Sequence, residues 1–173
     1  MNWWAKQKGF TLVELLIVIV VIAILAAITI VAFNGIQERG RQAKIQADLG
    51  QIEKAIFAAR IQSDKTVWAI SSGSGVTADA CGSMAAGTDF AALPKAHACW
   101  VKYLDTLDRI TTAGGVDIRN IVDPWQRPYF IYENEGRTSP TDCTKDILGN
   151  FKNPHVQWDA TNTRYVSNSL SNC

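Results

Sequence analysis

Residues Phe10 to Phe33, FTLVELLIVIVVIAILAAITIVAF, form an unbroken apolar run of 24 residues in which Glu14 is the only ionisable side chain. A helix rising ~1.5 Å per residue reaches roughly 36 Å over that length, enough to cross a bilayer core of about 30 Å. The run has no Pro and no Gly, and its Ile, Val, Leu and Ala residues leave no polar face. A segment apolar all round belongs in lipid or at the centre of a helical assembly. A conventional secretory signal describes it poorly, because such an apolar region spans only ~7–15 residues. Lys6 and Lys8 precede the run while Arg39, Arg41 and Lys44 follow it, so the positive-inside rule leaves its orientation open.

Glu14 is what an ordinary anchor lacks. An acid placed mid-bilayer costs on the order of 2.5–3.5 kcal/mol, and less near the interface. It needs a partner, and the run supplies no Lys, Arg or His. A cut between Gly9 and Phe10 would create an α-amino group with a reference pKa of about 8, four positions from Glu14. That amine can meet Glu14 within one helix, or meet Glu14 of a neighbouring copy as the helices assemble.

The stretch Gly9-Phe10-Thr11-Leu12-Val13-Glu14-Leu15, behind a short leader with Lys6 and Lys8, resembles the processing site of type IV pilins and type II secretion pseudopilins. The resemblance implies cleavage after Gly9 by a prepilin peptidase and N-methylation at Phe10. It further implies that Glu14 docks subunits into a helical filament, with an inner-membrane assembly platform and minor pilins as partners. Family members with a kinked anchor carry Pro where this chain has Val31. Gly35 and Gly40 are expected to supply a softer break instead.

The chain has 173 residues, of which 164 would follow the cut: one helical stalk and one small domain. Beyond Asn34 there are 15 Lys plus Arg and 15 Asp plus Glu. That formal neutrality argues against a dedicated nucleic-acid surface. All four cysteines, Cys81, Cys99, Cys143 and Cys173, lie after the apolar run, and an even count in an exported small domain reads as two disulfides.

From Ile36 to about Ser63 the pattern becomes amphipathic, with Asn34 and Gly35 as a cap or soft joint. Ile45, Leu49, Ile52, Ile56 and Ala59 recur at helical spacing, while Arg41, Lys44, Asp48, Gln51 and Arg60 are assigned mostly to the other faces. Lys44 and Asp48 form an i,i+4 pair. This stretch is expected to continue the first helix and to pack on a sheet. Thr66–Ile70 is read as extended, Ser71–Gly75 as a turn, and residues 76–98 as a loop closed by Cys81 and Cys99. Trp100, Leu104, Leu107 and Ile110 predict a short second helix broken at Thr111–Gly115. Asp123-Pro124-Trp125-Gln126-Arg127-Pro128 predicts a rigid turn into a strand at Tyr129–Tyr132. That turn resembles the Asp-Pro-Trp turn of major pseudopilins, with Gln126-Arg127 where the commoner pattern has Gly-Asn. Val156–Trp158 and Tyr165-Val166 are further strand candidates, separated by a turn at Ala160–Asn162. Cys81–Cys99 and Cys143–Cys173 is the expected pairing, the second loop being like the disulfide-bounded carboxyl-terminal region of many pilins. Four cysteines allow three connectivities, and the sequence alone does not select one.

No catalytic constellation emerges: there is no phosphate loop, nucleophile elbow or Ser/His/Asp arrangement. A zinc site from His97, Cys81, Cys99 and Cys143 lacks any CxxC pair, and an exported setting favours disulfides. Glu133, Glu135, Asp142 and Asp146 carry the carboxylates a calcium loop would use, in a spacing that matches no EF-hand. No cofactor is therefore expected. The fold class expected is α+β, a long amino-terminal helix packed on a small antiparallel sheet. Residues 1–9 form the leader, 10–33 the membrane and filament-core helix, 34–63 its amphipathic continuation and 64–173 the head. The function expected is a non-enzymatic filament subunit, membrane-anchored in lipid and then moved into an extracellular or periplasmic homo-oligomer, with no specific nucleic acid as partner. A secretion or DNA-uptake pseudopilin is the alternative within that class. A membrane-anchored adhesive ectodomain and an exported enzyme are the rivals outside it.

Overall fold

The computed structural model describes residues 9–71, 77–139, 143–157 and 159–167. Seven elements follow in order: α1 (Leu12–Ser63), α2 (Val67–Ile70), α3 (Thr77–Gly82), α4 (Ala98–Gly114), β1 (Tyr129–Tyr132), β2 (Ile147–Phe151) and β3 (Ala160–Tyr165). The architecture is α+β and pilin-like. Two compact units divide the chain at Arg41 and Gln42.

In the first unit the helix carries large apolar side chains on its surface. Leu15, Ile19, Ile22, Ile24, Leu25 and Ile28 are all exposed. By length and composition this part of α1 can cross a bilayer. The helix runs on through Gly35 and Gly40, where a break was expected. A helical glycine costs only about 1 kcal/mol relative to alanine, too little to end a helix of 52 residues.

The second unit is a sheet with a core on each face. The three strands are antiparallel in the order β1-β2-β3. Tyr129 pairs with Asn150 and Ile131 with Leu148, while the alternate positions pair Phe130 with Gly149 and Tyr132 with Ile147. Successive strand residues face opposite ways. Tyr129, Ile131 and Leu148 accordingly join a core built from Ile45, Leu49, Ile52, Ile56 and Ala59 of α1 with Trp100, Tyr103, Leu107 and Ile110 of α4. Phe130 and Phe151 join a second core with Phe90 and the Cys81–Cys99 disulfide. Where α4 crosses α1, a Cβ on Gly114 would lie 2.6 Å from the Ala59 nitrogen, so only glycine fits that close approach.

Several local expectations are corrected. Thr66 caps a helical turn instead of entering a strand, its hydroxyl accepting from Ala69 N. Residues 77–82 are helical, not loop. The second helix is not short: it continues through Thr111 to Gly114 and ends only where Gly115 turns left-handed at φ 70°, its N–H donating to Thr111 O. β-Branched Thr weakens a helix but does not stop one, whereas a glycine just past the end does. Ala160–Asn162 opens β3 instead of turning, and Val156 and Gln157 lie outside any strand. Trp158 lies outside the described residues. β2 was not anticipated, because ILGNF offers neither strict alternation nor a run of β-branched residues.

Candidate functional site

At the start of α1 the Glu14 carboxylate is already engaged. Glu14 Oε2 accepts from Thr11 N at 2.9 Å and from the Thr11 hydroxyl at 2.8 Å, while Thr11 Oγ1 accepts from Glu14 N at 3.2 Å. This reciprocal arrangement is a capping box, which satisfies donors that a helix start otherwise leaves bare. The partner of Glu14 in the structure is thus Thr11, whose Thr-x-x-Glu spacing is legible in the sequence. Phe10, just before the box, is 85% exposed. Gly9 likewise stands free, with open space where a Cβ would be.

The second unit is tied to α1 by polar groups. Tyr129 donates its hydroxyl to Asp48 Oδ2 at 2.6 Å, and Lys44 reaches the same oxygen at 2.5 Å and the Val122 carbonyl at 2.8 Å. The i,i+4 pair read from the sequence thus also anchors β1. Arg60, assigned to an outer face, is instead buried. Its Nη2 lies 2.5 Å from Asp146 and 2.9 Å from Glu135, and its Nη1 donates to Ser167 O at 2.5 Å. Two carboxylates across the core draw it inward, information that lies more than seventy residues away in the chain.

That network also engages two of the carboxylates read as a calcium loop. Glu135 and Asp146 spend their charge on Arg60, and Asp146 Oδ1 accepts from the backbone N–H of Asn134 and of Glu135. Burial, opposed by those N–H groups and by Arg60, holds the Asp146 carboxyl above its ordinary pKa. Asp142 lies outside the described residues. The zinc set fails on its sulfurs: Cys81 and Cys99 are bonded to each other, and Cys143 is also disulfide-bonded. Cys173 lies outside the described residues. His97 serves α4 as its N-cap, Nδ1 accepting from Cys99 N at 3.2 Å. Asp105 and Asp108 pair with Arg109 and Arg119 on the surface.

The Asp-Pro-Trp turn is organised by a buried carboxylate. Asp123 Oδ1 accepts from the N–H groups of Trp125 and Arg127, and Oδ2 from Arg127 Nε at 2.7 Å. Gln126 takes φ 64°, a left-handed conformation that suits glycine. The Arg127 guanidinium lies over the Trp125 ring, 4.9 Å from its centroid.

A long helix with a free apolar half, an acid set just inside it, and a disulfide-containing α+β head together define a pilin-like protein. Residues 4–30 match the prokaryotic N-terminal methylation motif. The chain is 44% identical over 50 residues to the type IV major fimbrial protein FimA of Dichelobacter nodosus, a match covering 29% of this chain and 32% of FimA. It is 40% identical over 57 residues to the type IV narrow pilus major component PilA5 of Thermus thermophilus, covering 33% of this chain and 49% of PilA5. The matches thus span 32% to 49% of these relatives' lengths. No solved structure matches the chain. The amino-terminal segment is similar to that of these type IV pilus proteins.

Proposed function

We propose that the chain is a structural subunit of a type IV pilus-like filament. A prepilin peptidase cleaves it after Gly9, Phe10 is N-methylated, and Glu14 pairs with the amino terminus of a neighbouring copy. One observation carries this reading: a helix start bearing an acid, followed by apolar side chains that are exposed among the described residues. In the membrane lipid covers that surface. In a filament the equivalent surfaces of other copies replace lipid, at little cost because the two environments are similarly apolar. Directionality then has to come from a polar contact, and Glu14 is the acid available to make it.

The relatives named as major pilus components support a pilus subunit over a secretion pseudopilin. Residues 10–33 are the part that moves from membrane to filament core, and the rest of α1 carries the head. Cys143 is paired with Cys173, closing the carboxyl-terminal loop. Intact-mass and amino-terminal analysis of protein taken from its native envelope tests the reading. The expected terminus is methylated Phe10. A retained leader would point instead to an anchored ectodomain.

A further inference from the structure

A groove of about 510 Å³ opens in the second unit, its walls including Gln42, Trp125, Arg127, Asn150, Pro154 and Asn162. Its floor is polar and built. Asn150 is 4% exposed, and its side-chain carbonyl accepts from the Thr161 hydroxyl at 3.1 Å and from Asn162 Nδ2 at 2.8 Å. The amide oxygen of Asn150 thus faces Thr161 and Asn162. Among the described residues the Asn150 NH2 group then has no acceptor, and it is not sealed in the core either. Arg127, also 4% exposed, uses Nε and Nη2 on Asp123 and keeps Nη1 over.

Two ordered donors therefore share one groove with no acceptor for them among the described residues. Asn162 adds an acceptor, because its own amide nitrogen is spent on Asn150. Charge selects among ligands. Arg127 is balanced by Asp123, and the Lys152 ammonium on the rim by Asp159, so the groove presents directional donors without net positive charge. A phosphate or carboxylate would find no uncompensated cation. A neutral molecule dense in hydroxyl or carbonyl oxygens finds donors, an acceptor, and apolar walls from Trp125 and Pro154.

We infer that this groove is a binding site for a neutral saccharide, with Asn150 and Arg127 donating to its oxygens. The inference does not depend on filament assembly. It is tested by titrating the full chain, held in a detergent without a sugar headgroup, with chitotetraose and separately with maltotetraose. The readout is the NMR shift of the Asn150 side-chain amide and the Trp125 indole N–H. Saturable shifts of both signals with one of the sugars are expected. Arg127→Lys retains a cation for Asp123 but loses the spare donor, and should weaken that binding about tenfold. Asn150→Asp, which exchanges the NH2 for an acceptor, should do likewise, and an unchanged spectrum elsewhere confirms each fold. No shift with either sugar up to tens of millimolar, or binding indifferent to both variants, overturns the proposal. So does efficient cross-linking of Val156→Cys to a second copy in assembled material, which would make the groove a subunit contact.

Discussion

Arg60 Nη2 lies 2.5 Å from Asp146 Oδ2 with both side chains nearly sealed from water, at 3% and 1% exposure. One comes from the last turn of α1 and the other from the residue before β2. The contact therefore fastens the helix to the start of β2. Glu135 shares the same guanidinium at 2.9 Å.

Removing that cation should be severe. Arg60→Met fits the space but leaves Glu135 and Asp146 buried without their counter-charge, and breaking a buried pair this way costs about 3–5 kcal/mol. Loss on that scale is a large fraction of a typical domain's stability. Denaturant melts of the full chain in micelles should show the midpoint collapse for Arg60→Met. A surface control, Arg119→Met, should shift it by less than about 1 kcal/mol.

Glu133 gives the head a pH dependence. It is fully buried, and neither carboxyl oxygen has a hydrogen-bond partner among the described residues. The Ser71 hydroxyl beside it donates to the Trp68 carbonyl instead, at 3.1 Å. Burial first, then the Asp146 charge, and more weakly Asp79, push its pKa up to about 8, against the relief offered by Ser71 and Lys102. A carboxyl raised in the folded state keeps its proton there while the unfolded chain has already lost it. Its contribution is therefore intact below pH 4.5, the ordinary value, and is lost as pH rises toward about 8. The expected slope is about 1.4 kcal/mol per pH unit across that window. Glu133→Gln should remove the slope, leaving stability near pH 4.5 almost unchanged and raising it at pH 8. Thermal melts of both proteins at a series of pH values check this, and parallel curves would refute it.

Gln126 is an exposed residue held at φ 64°. A left-handed conformation costs a non-glycine residue roughly 1–2 kcal/mol, and glycine returns part of that as unfolded-state entropy. Gln126→Gly should thus stabilise by about 0.5–1 kcal/mol, since no packed side chain is lost. A rise of a few degrees in the melting temperature is the expected result. A fall would mean that the Gln side chain makes a contact worth more than the backbone strain.

The parts that could be read from the sequence are those whose information is local. The apolar run, the helical stripe from Ile45 to Ala59 and the double-proline turn each carry their own pattern. The position of Gln126 was also visible as a departure from the glycine of the commoner turn, although its left-handed backbone was not. What could not be read depends on partners distant in the chain. Arg60 looks like a surface residue until Glu135 and Asp146 are brought to it. Glu133 looks like one more solvated acid until α2, α3 and α4 close around it. β2 is a strand because Tyr129–Tyr132 pairs with it and because apolar surface waits on both its faces, neither of which the five residues ILGNF declare. In the proposed assembly segment the Thr-x-x-Glu pattern is local, and it satisfies Glu14 without an opposite charge.

That capping box makes the charge of Glu14 separable from its geometry. Gln serves at the same position of a capping box, because its amide oxygen accepts from the Thr11 N–H as the carboxylate does. Glu14→Gln therefore keeps the helix start while deleting only the negative charge. An alanine would lose both. If Glu14 docks each subunit onto a neighbouring amino terminus, the Gln variant should insert and lose its leader normally. Its filament yield should then fall by roughly tenfold or more, the factor attached to about 1.4 kcal/mol per lost contact. Sheared-filament yield against total processed subunit is the measurement. If the yield stays level while processing is normal, Glu14 acts through its bond to Thr11 alone. The direction of assembly would then have to come from the heads.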